Sequence, residues 1–353
     1  MKILIIQMKM IGDVLTSSIL FEAIRSRYPD AELHYLIYKH TLPVVENNPF
    51  IDKYIIFDPD VQKSAKGLIK MIHIVKEEKY DVVIDVYSKI NSAAITMRSG
   101  ASEKISFKKW YTKNAYSKRY RPATKSETPA GLAIENRMLL LKGLGKSFPK
   151  ALKPKIYLTQ EEKDKAKQLL MVNGIDLQQP LYMIGILGSS ESKSYPKPYM
   201  AMLLNYIVAQ TKAQLIINYI PSQKDTVLEI LELCEEETRA QINLAVYGKN
   251  LREFMALTSY CNAIIGNEGG AVNMAKALSI PSFSIFSPQI FKADWNLYED
   301  GLKNVGVHLN DYRPELFIEK DKKDLRKEAY QWYWIFKPDF IYPDLKLFLD
   351  RNK

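Results

Sequence analysis

Two turns in this chain join a buried strand to a helix through residues able to handle charge. One lies in Ile264-Ile265-Gly266-Asn267-Glu268-Gly269-Gly270-Ala271-Val272-Asn273-Met274: an apolar strand, a glycine-rich turn with one amide and one acid, then a helix. Glycines there let the backbone approach a ligand closely, and the unpaired N–H groups and positive dipole end of the helix favour an anion such as a diphosphate. The run 279–288 supplies a second strand, so the segment is one βαβ unit with a candidate phosphate site at its carboxyl end. A plain tight turn would use the same glycines, and glycine content alone does not choose between the two. At the other end, residues 2–7 form a short apolar strand, and Asp13 precedes a helical run over 14–29 in which Leu15, Ile19 and Ala23 recur at spacing four. A carboxylate in that place either caps the helix or takes a proton from a ligand hydroxyl. There is no G-x-G-x-x-G, so a dinucleotide fingerprint is absent.

Such turns need a scaffold, and the chain supplies it by alternation. Strand-like runs fall at 2–7, 32–37, 53–57, 81–86 and 104–107, with helical patterns such as 64–78 and 91–98 between them. That order predicts an α/β fold, a parallel sheet covered by helices on both faces. Residues 143–154 are rich in Gly, Pro and Lys and read as a link. A helix over 161–173 then ends at Gly174, and strands at 182–187, 214–218, 242–245 and 263–265 begin a second alternating set. Two α/β domains are expected, 1–150 and 155–335, with a cleft between the carboxyl ends of their sheets. Residues 338–353 form a closing amphipathic helix expected to pack back on the first domain.

Composition narrows the function classes. The 353 residues are 47% hydrophobic and 25% charged, enough for an ordinary core. No run approaches the ~20 apolar residues of a membrane span. The apolar strand before Gln7 is too short for a signal sequence, so a cytosolic protein is expected. Cys234 and Cys261 lack close spacing and read as buried thiols, and His34, His40, His73 and His308 lack metal-ligand spacing. The net charge of +10 is concentrated. Arg98, Lys104, Lys108, Lys109, Lys113, Lys118, Arg119, Arg121 and Lys125 face Glu103 alone, with Trp110, Tyr111, Tyr116 and Tyr120 interleaved. This stretch suits a phosphorylated glycan or anionic lipid headgroups, or is a solvated basic loop. Without a recognisable nucleic-acid-binding motif, nucleic acid is not the expected partner.

Taken together, these features resemble glycosyltransferase family 9, the lipopolysaccharide heptosyltransferases. Ile11-Gly12-Asp13-Val14-Leu15 with 23–31 is similar to that family's amino-terminal motif, and 266–270 through Ala277, Leu278 and Pro281 to its donor-binding motif. Gly188-Ser189-Ser190-Glu191-Ser192-Lys193-Ser194-Tyr195-Pro196 resembles a strand-end segment whose lysine lies near the donor phosphates. The chain departs from the family's usual residues at Glu268 (Asp), Gly269 (Thr) and Asn273 (His).

The resemblance implies a GT-B architecture, two Rossmann-like domains with parallel sheets facing a central cleft. It implies a metal-independent, inverting transfer from a nucleoside-diphosphate sugar, ADP-heptose being the family's familiar donor. No other cofactor is implied. Asp13 is the expected base, and Ser189, Lys193, Asn267, Glu268, Gly269, Gly270 and Asn273 the expected donor site. Lys193 would neutralise the departing diphosphate as a mobile point charge, or is an ordinary surface lysine. Arg98, Lys104, Lys108, Lys109, Lys113, Arg119 and Arg121 would meet an anionic glycolipid acceptor at the inner face of the cytoplasmic membrane. A nucleotide-sugar epimerase on the same scaffold and a non-catalytic basic binder are the rival readings. Asp58-Pro59-Asp60 formally matches a D-x-D metal motif but reads as a turn. Asp85, near a strand's carboxyl end, would face the acceptor, and Asp225 falls where a ribose contact is expected.

Overall fold

The computed structural model describes residues 1–58, 64–320 and 322–352. The chain divides into two compact units, Met1–Tyr157 and Leu158–Lys353. The division falls just beyond the Gly/Pro/Lys-rich stretch.

The first unit is built on six parallel strands: β1 (Lys2–Ile6), β2 (Glu32–Tyr38), β3 (Lys53–Phe57), β4 (Val82–Asp85), β5 (Glu103–Phe107) and β6 (Lys118–Tyr120), in the order β3-β2-β1-β4-β5-β6. Ile3 to Ile6 of the central strand are all buried, the continuous apolar run expected of a strand covered on both faces. The second unit repeats the plan with β7 (Leu181–Gly185), β8 (Gln214–Ile217), β9 (Ile242–Asn243), β10 (Ala263–Asn267), β11 (Ser282–Ile285) and β12 (Asn304–Val307), ordered β12-β11-β10-β7-β8-β9. In each sheet the chain winds outward, then returns to build the other side. The reversals lie between β1 and β4 and between β7 and β10. Connections on the two sides of such a point run apart, opening a crevice at the strands' carboxyl ends.

Local sequence explains several element ends. Ser64 caps the helix Ala65–Glu77 by accepting from Gly67 N–H at 3.1 Å. Gly174, at φ +79°, follows the helix Gln160–Val172 in the left-handed conformation that ends it. The helical run expected over 14–29 is two helices, Ile11–Ser17 and Ile19–Arg27. At the break, Ser17 and Ser18 hydroxyls bond back to the Asp13 and Leu15 carbonyls, both at 2.7 Å. Because the first helix begins at Ile11, Asp13 lies inside its first turn rather than ahead of it.

Three further expectations change. The basic stretch is not a loop throughout: Lys118–Tyr120 forms the sheet's edge strand, where Lys and Arg discourage pairing with other chains. The helix Lys322–Ile335 had no counterpart in the sequence reading. The closing helix Pro338–Arg351 is part of the second unit. Its Ile341, Leu345, Phe348 and Leu349 join the second unit's core, with the Phe348 ring 5.5 Å from that of Phe283 on β11.

Gly266 closes the gap between β10 and β7. It sits at φ +142°, and a Cβ there would lie 2.3 Å from the Gly185 carbonyl oxygen. Gly270, by contrast, has no atom within 4 Å of a built Cβ. Gly266→Ala should therefore destabilise the protein by roughly 2 kcal/mol or more, while Gly270→Ala should stay within about 0.5 kcal/mol of the parent. Thermal melts of both variants check the contrast.

Candidate active-site residues

In the first unit Asp13 follows β1 and faces a partner the sequence reading missed. Its Oδ1 accepts from Arg137 Nη2 at 2.6 Å, while the same guanidinium donates to Ser17 Oγ at 2.8 Å and to the Ala133 carbonyl at 2.6 Å. Arg137 comes from the helix Leu132–Leu139 and is buried, whereas the Asp13 side chain keeps 23% of its exposure. Among the described residues the second oxygen, Oδ2, has only the Met10 N–H at 3.4 Å, the outer limit of a hydrogen bond. Capping is thus weak, and Oδ2 is the atom open to a ligand. A signal for Arg137 existed: Ile134, Arg137, Met138 and Leu141 share one helical face, and an arginine on a buried face needs an anion.

Asp85 does not face a ligand. It ends β4 fully buried, accepting from Ser88 N–H and from Tyr116 Oη, both at 2.7 Å. Burial pushes its carboxyl up to about 6, although these donors pull the other way. The carboxylate holds a turn in which Ser88 takes φ +50°, and Lys109 Nζ closes that turn on the Ser88 carbonyl at 2.8 Å.

Lys109 is therefore engaged within its own unit, and Lys104 is half-buried on β5. Arg98, Lys108, Lys113, Arg119 and Arg121 are exposed and form no ion pair among the described residues. Trp110 stands among them at 86% exposure.

In the second unit the two connections at the reversal carry the expected donor residues. After β10, Gly269 takes φ +156° and the helix Gly270–Ala277 begins, leaving its first N–H groups without helical partners. After β7, residues 188–195 form a tight loop, in which a Cβ on Gly188 would lie 2.2 Å from the Lys193 carbonyl oxygen. Tyr333 Oη donates to that same carbonyl at 3.3 Å, and Ser287 Oγ and Gln289 Nε2 donate to the Ser192 carbonyl at 2.9 and 2.8 Å. The loop is pinned, yet the Lys193 ammonium has no ion pair among the described residues. Its charge bears on Glu268, whose carboxyl is pushed up by burial and pulled partly back by Lys193.

Asn267 needs correction. Its side chain is buried: Oδ1 accepts from Tyr195 N–H at 2.7 Å and Nδ2 donates to the Gly185 and Ile186 carbonyls at 3.0 Å. The amide ties the two connections together and is not offered to a ligand. Ser189 and Asn273 make no side-chain hydrogen bond among the described residues, so both polar groups are open. Beyond the carboxyl ends of β8 and β9 lies a cavity of about 640 Å³ bordered by Tyr219, Pro221, Leu244 and Tyr247. The Tyr219 and Tyr247 rings stand 5.3 Å apart. Asp225 is exposed and does not border this cavity.

Pro59 and Asp60 of the D-x-D sequence lie outside the described residues, among which no three His, Cys, Asp or Glu side chains are grouped to hold a metal. Cys234 and Cys261 are buried and free. No helix of the described residues is long and apolar enough to cross a membrane.

Two Rossmann-like units, each with polar residues at its chain reversal, define a GT-B type scaffold. The solved structure of a glycosyl transferase family 9 protein from Veillonella parvula shares that fold, with a TM-score of 0.77 and 17% identity over 99% of this chain and 97% of that one. An Escherichia coli heptosyltransferase, WaaC, solved with ADP-2-deoxy-2-fluoro heptose, aligns at a TM-score of 0.65 and 16% identity, covering 90% and 99%. In sequence, lipopolysaccharide heptosyltransferase 1 of Campylobacter coli is 25% identical over 94% of this chain and 99% of its own. Glycosyltransferase family 9 (heptosyltransferase) matches residues 68–321, and the chain belongs to that family. It is a glycosyltransferase.

Asp85 gives a pH signature. Its native value of about 6 exceeds the ordinary 3.8, so the folded state binds more protons than the unfolded one between those values. Its contribution to stability is full below about pH 4 and lost as pH rises through about 6. The stability of the parent relative to Asp85→Asn should therefore fall across that interval and level off above it. Denaturant titrations of both proteins from pH 4 to 8 measure the difference.

Proposed function

We propose that the enzyme transfers a heptose-like sugar from an ADP-linked donor to the core of lipopolysaccharide or a similar anionic glycolipid, with inversion and without a divalent metal. The observation that carries this reading is the placement of Lys193, Glu268 and the Gly270 helix terminus around one chain reversal. A freed diphosphate needs positive charge and N–H donors, and that turn offers both. The similarity to a Campylobacter coli lipopolysaccharide heptosyltransferase and to an Escherichia coli heptosyltransferase solved with ADP-2-deoxy-2-fluoro heptose supports the choice of acceptor and donor.

Asp13 Oδ2 takes the proton of the attacking acceptor hydroxyl. The hydroxyl oxygen bonds to the anomeric carbon as its bond to the diphosphate oxygen breaks, and the electron pair leaves with the diphosphate. Lys193 and the N–H groups of the Gly270–Ala277 helix stabilise that charge, and the Glu268 carboxylate accepts from donor-sugar hydroxyls. Arg137 holds Asp13 in place through the other oxygen. The nucleoside lies in the cavity that Tyr219 and Tyr247 border, on the same carboxyl edge of the sheet. Glu268 is one methylene longer than the family's usual Asp, which shifts the sugar-reading carboxylate outward. The exposed basic residues Arg98, Lys108, Lys113, Arg119 and Arg121 meet the acceptor's phosphates at the cytoplasmic membrane face.

Two substitutions test the division of labour. Asp13→Asn should lower kcat by about 10²-fold or more with ADP affinity unchanged. Lys193→Ala should weaken ADP binding as well as turnover, because it removes a charge-assisted contact. Steady-state kinetics and calorimetric ADP titration read both. Near-normal turnover in folded Asp13→Asn, or parental ADP affinity in Lys193→Ala, would contradict the assignment.

A further inference from the structure

The second unit contains another cavity, of about 590 Å³, bordered by the 188–198 segment on one side and by Tyr330, Tyr333 and Trp334 on the other. Ser189 of the expected donor set borders it, but Lys193 and Glu268 do not, so the charged groups of the donor chemistry proposed above lie outside it. Its size falls in the range of small-ligand sites, roughly 300–1,000 Å³.

Two aromatic rings there remain open, Tyr330 at 55% and Trp334 at 41% exposure. They stand on a helix end that is firmly tied down. Tyr199 Oη donates to the Trp334 carbonyl at 3.1 Å, Tyr195 Oη to the Phe336 carbonyl at 2.5 Å, and the Tyr199 ring packs edge-on to Trp334 at 5.3 Å. A pre-positioned aromatic face costs little to occupy.

Among the described residues the rim is polar but offers no free cation. Lys197 is paired with Glu229, and Glu191 adds a negative charge, so an anionic ligand is disfavoured and a nucleoside diphosphate with it. Ser189 Oγ and Thr226 Oγ1 make no hydrogen bond to protein among the described residues. Gln223 accepts the Ile220 N–H through Oε1 at 3.1 Å, leaving its Nε2 donor available. An aromatic platform edged by hydroxyl and amide groups without net positive charge matches the ring of an uncharged sugar. The C–H face of such a ring stacks on the aromatics while its edge hydroxyls reach the polar rim.

We propose that this cavity is a second carbohydrate site, separate from the donor site, which takes an uncharged pyranose of the glycan on Trp334 and Tyr330. It would hold part of the acceptor glycan away from the reacting centre, as remote binding that raises affinity for longer chains.

Saturation-transfer NMR of the full chain with maltose and with lactose, with and without saturating ADP, tests the site. At least one disaccharide should give a saturable millimolar signal that ADP leaves unchanged. Trp334→Ala and Thr226→Arg should each weaken it roughly 5-fold or more, with parental melting temperature and ADP affinity. If Trp334→Ala melts early, Thr226→Arg on the partly exposed rim decides alone. No saturable signal from either sugar, displacement by ADP, or parental affinity in Thr226→Arg would overturn the proposal. Failure of ADP itself to bind would count against the donor assignment and leave the sugar titration readable.

Discussion

The order of strands in each parallel sheet constrains everything else in this protein. A chain that builds β1, β2 and β3 outward and then returns to lay β4 against β1 must send the two inner connections in opposite directions. The same holds for β7 and β10. Backbone at those four strand ends pairs only in part with its neighbours, as where Val86 and Tyr87 N–H bond to the Ile6 carbonyl, and the remainder is satisfied by side chains or left for a ligand. Asp13, Asp85, Lys193 and Glu268 follow or end these four strands, and they divide between the two tasks.

Buried polar side chains do the satisfying. Asp85 holds the connection after β4, Asn267 ties the connection after β10 to the one after β7, and Arg137 fixes the helix after β1 through Ser17 and Asp13. Each is costly to bury and costlier to leave without partners. A buried pair stripped of one member loses several kcal/mol, less for Asp13 because its carboxylate is partly solvated. With the backbone so held, Lys193 and Glu268 are without side-chain partners among the described residues, and Asp13 Oδ2 has there only the 3.4 Å contact from Met10 N–H. That is the arrangement expected where binding energy is to be spent on a ligand.

Much of this was legible in the sequence because it is local. Alternating apolar runs and helical spacing located β1 to β5 and β7 to β11, down to the short β9, but not β12, and Gly174 and Ser64 marked helix ends by known conformational preferences. The Asp13, Lys193 and Glu268 segments were readable through their motifs. What stayed hidden depends on contacts distant along the chain. Arg137 meets Asp13 across 124 positions, and Asn267 meets Tyr195 across 72. Asn267 was taken for a ligand contact because a turn amide looks the same whether it faces solvent or backbone. The three-residue strand Lys118–Tyr120 escaped because charge, not apolar alternation, dominates it. The closing helix carried no information about which core it would join.

The central claim is that the turn before the Gly270–Ala277 helix receives a diphosphate rather than merely connecting two strands. Gly270 allows that to be separated from folding, since a Cβ there has no atom within 4 Å beyond its own helix turn and chain neighbours. The decisive measurement is calorimetric titration of ADP into Gly270→Val alongside its melting temperature. A donor site requires ADP affinity to drop at least about 10-fold, the equivalent of roughly 1.4 kcal/mol, with the melting temperature within a few degrees of the parent. Parental ADP affinity in a folded Gly270→Val protein would show that the phosphate does not sit at this turn.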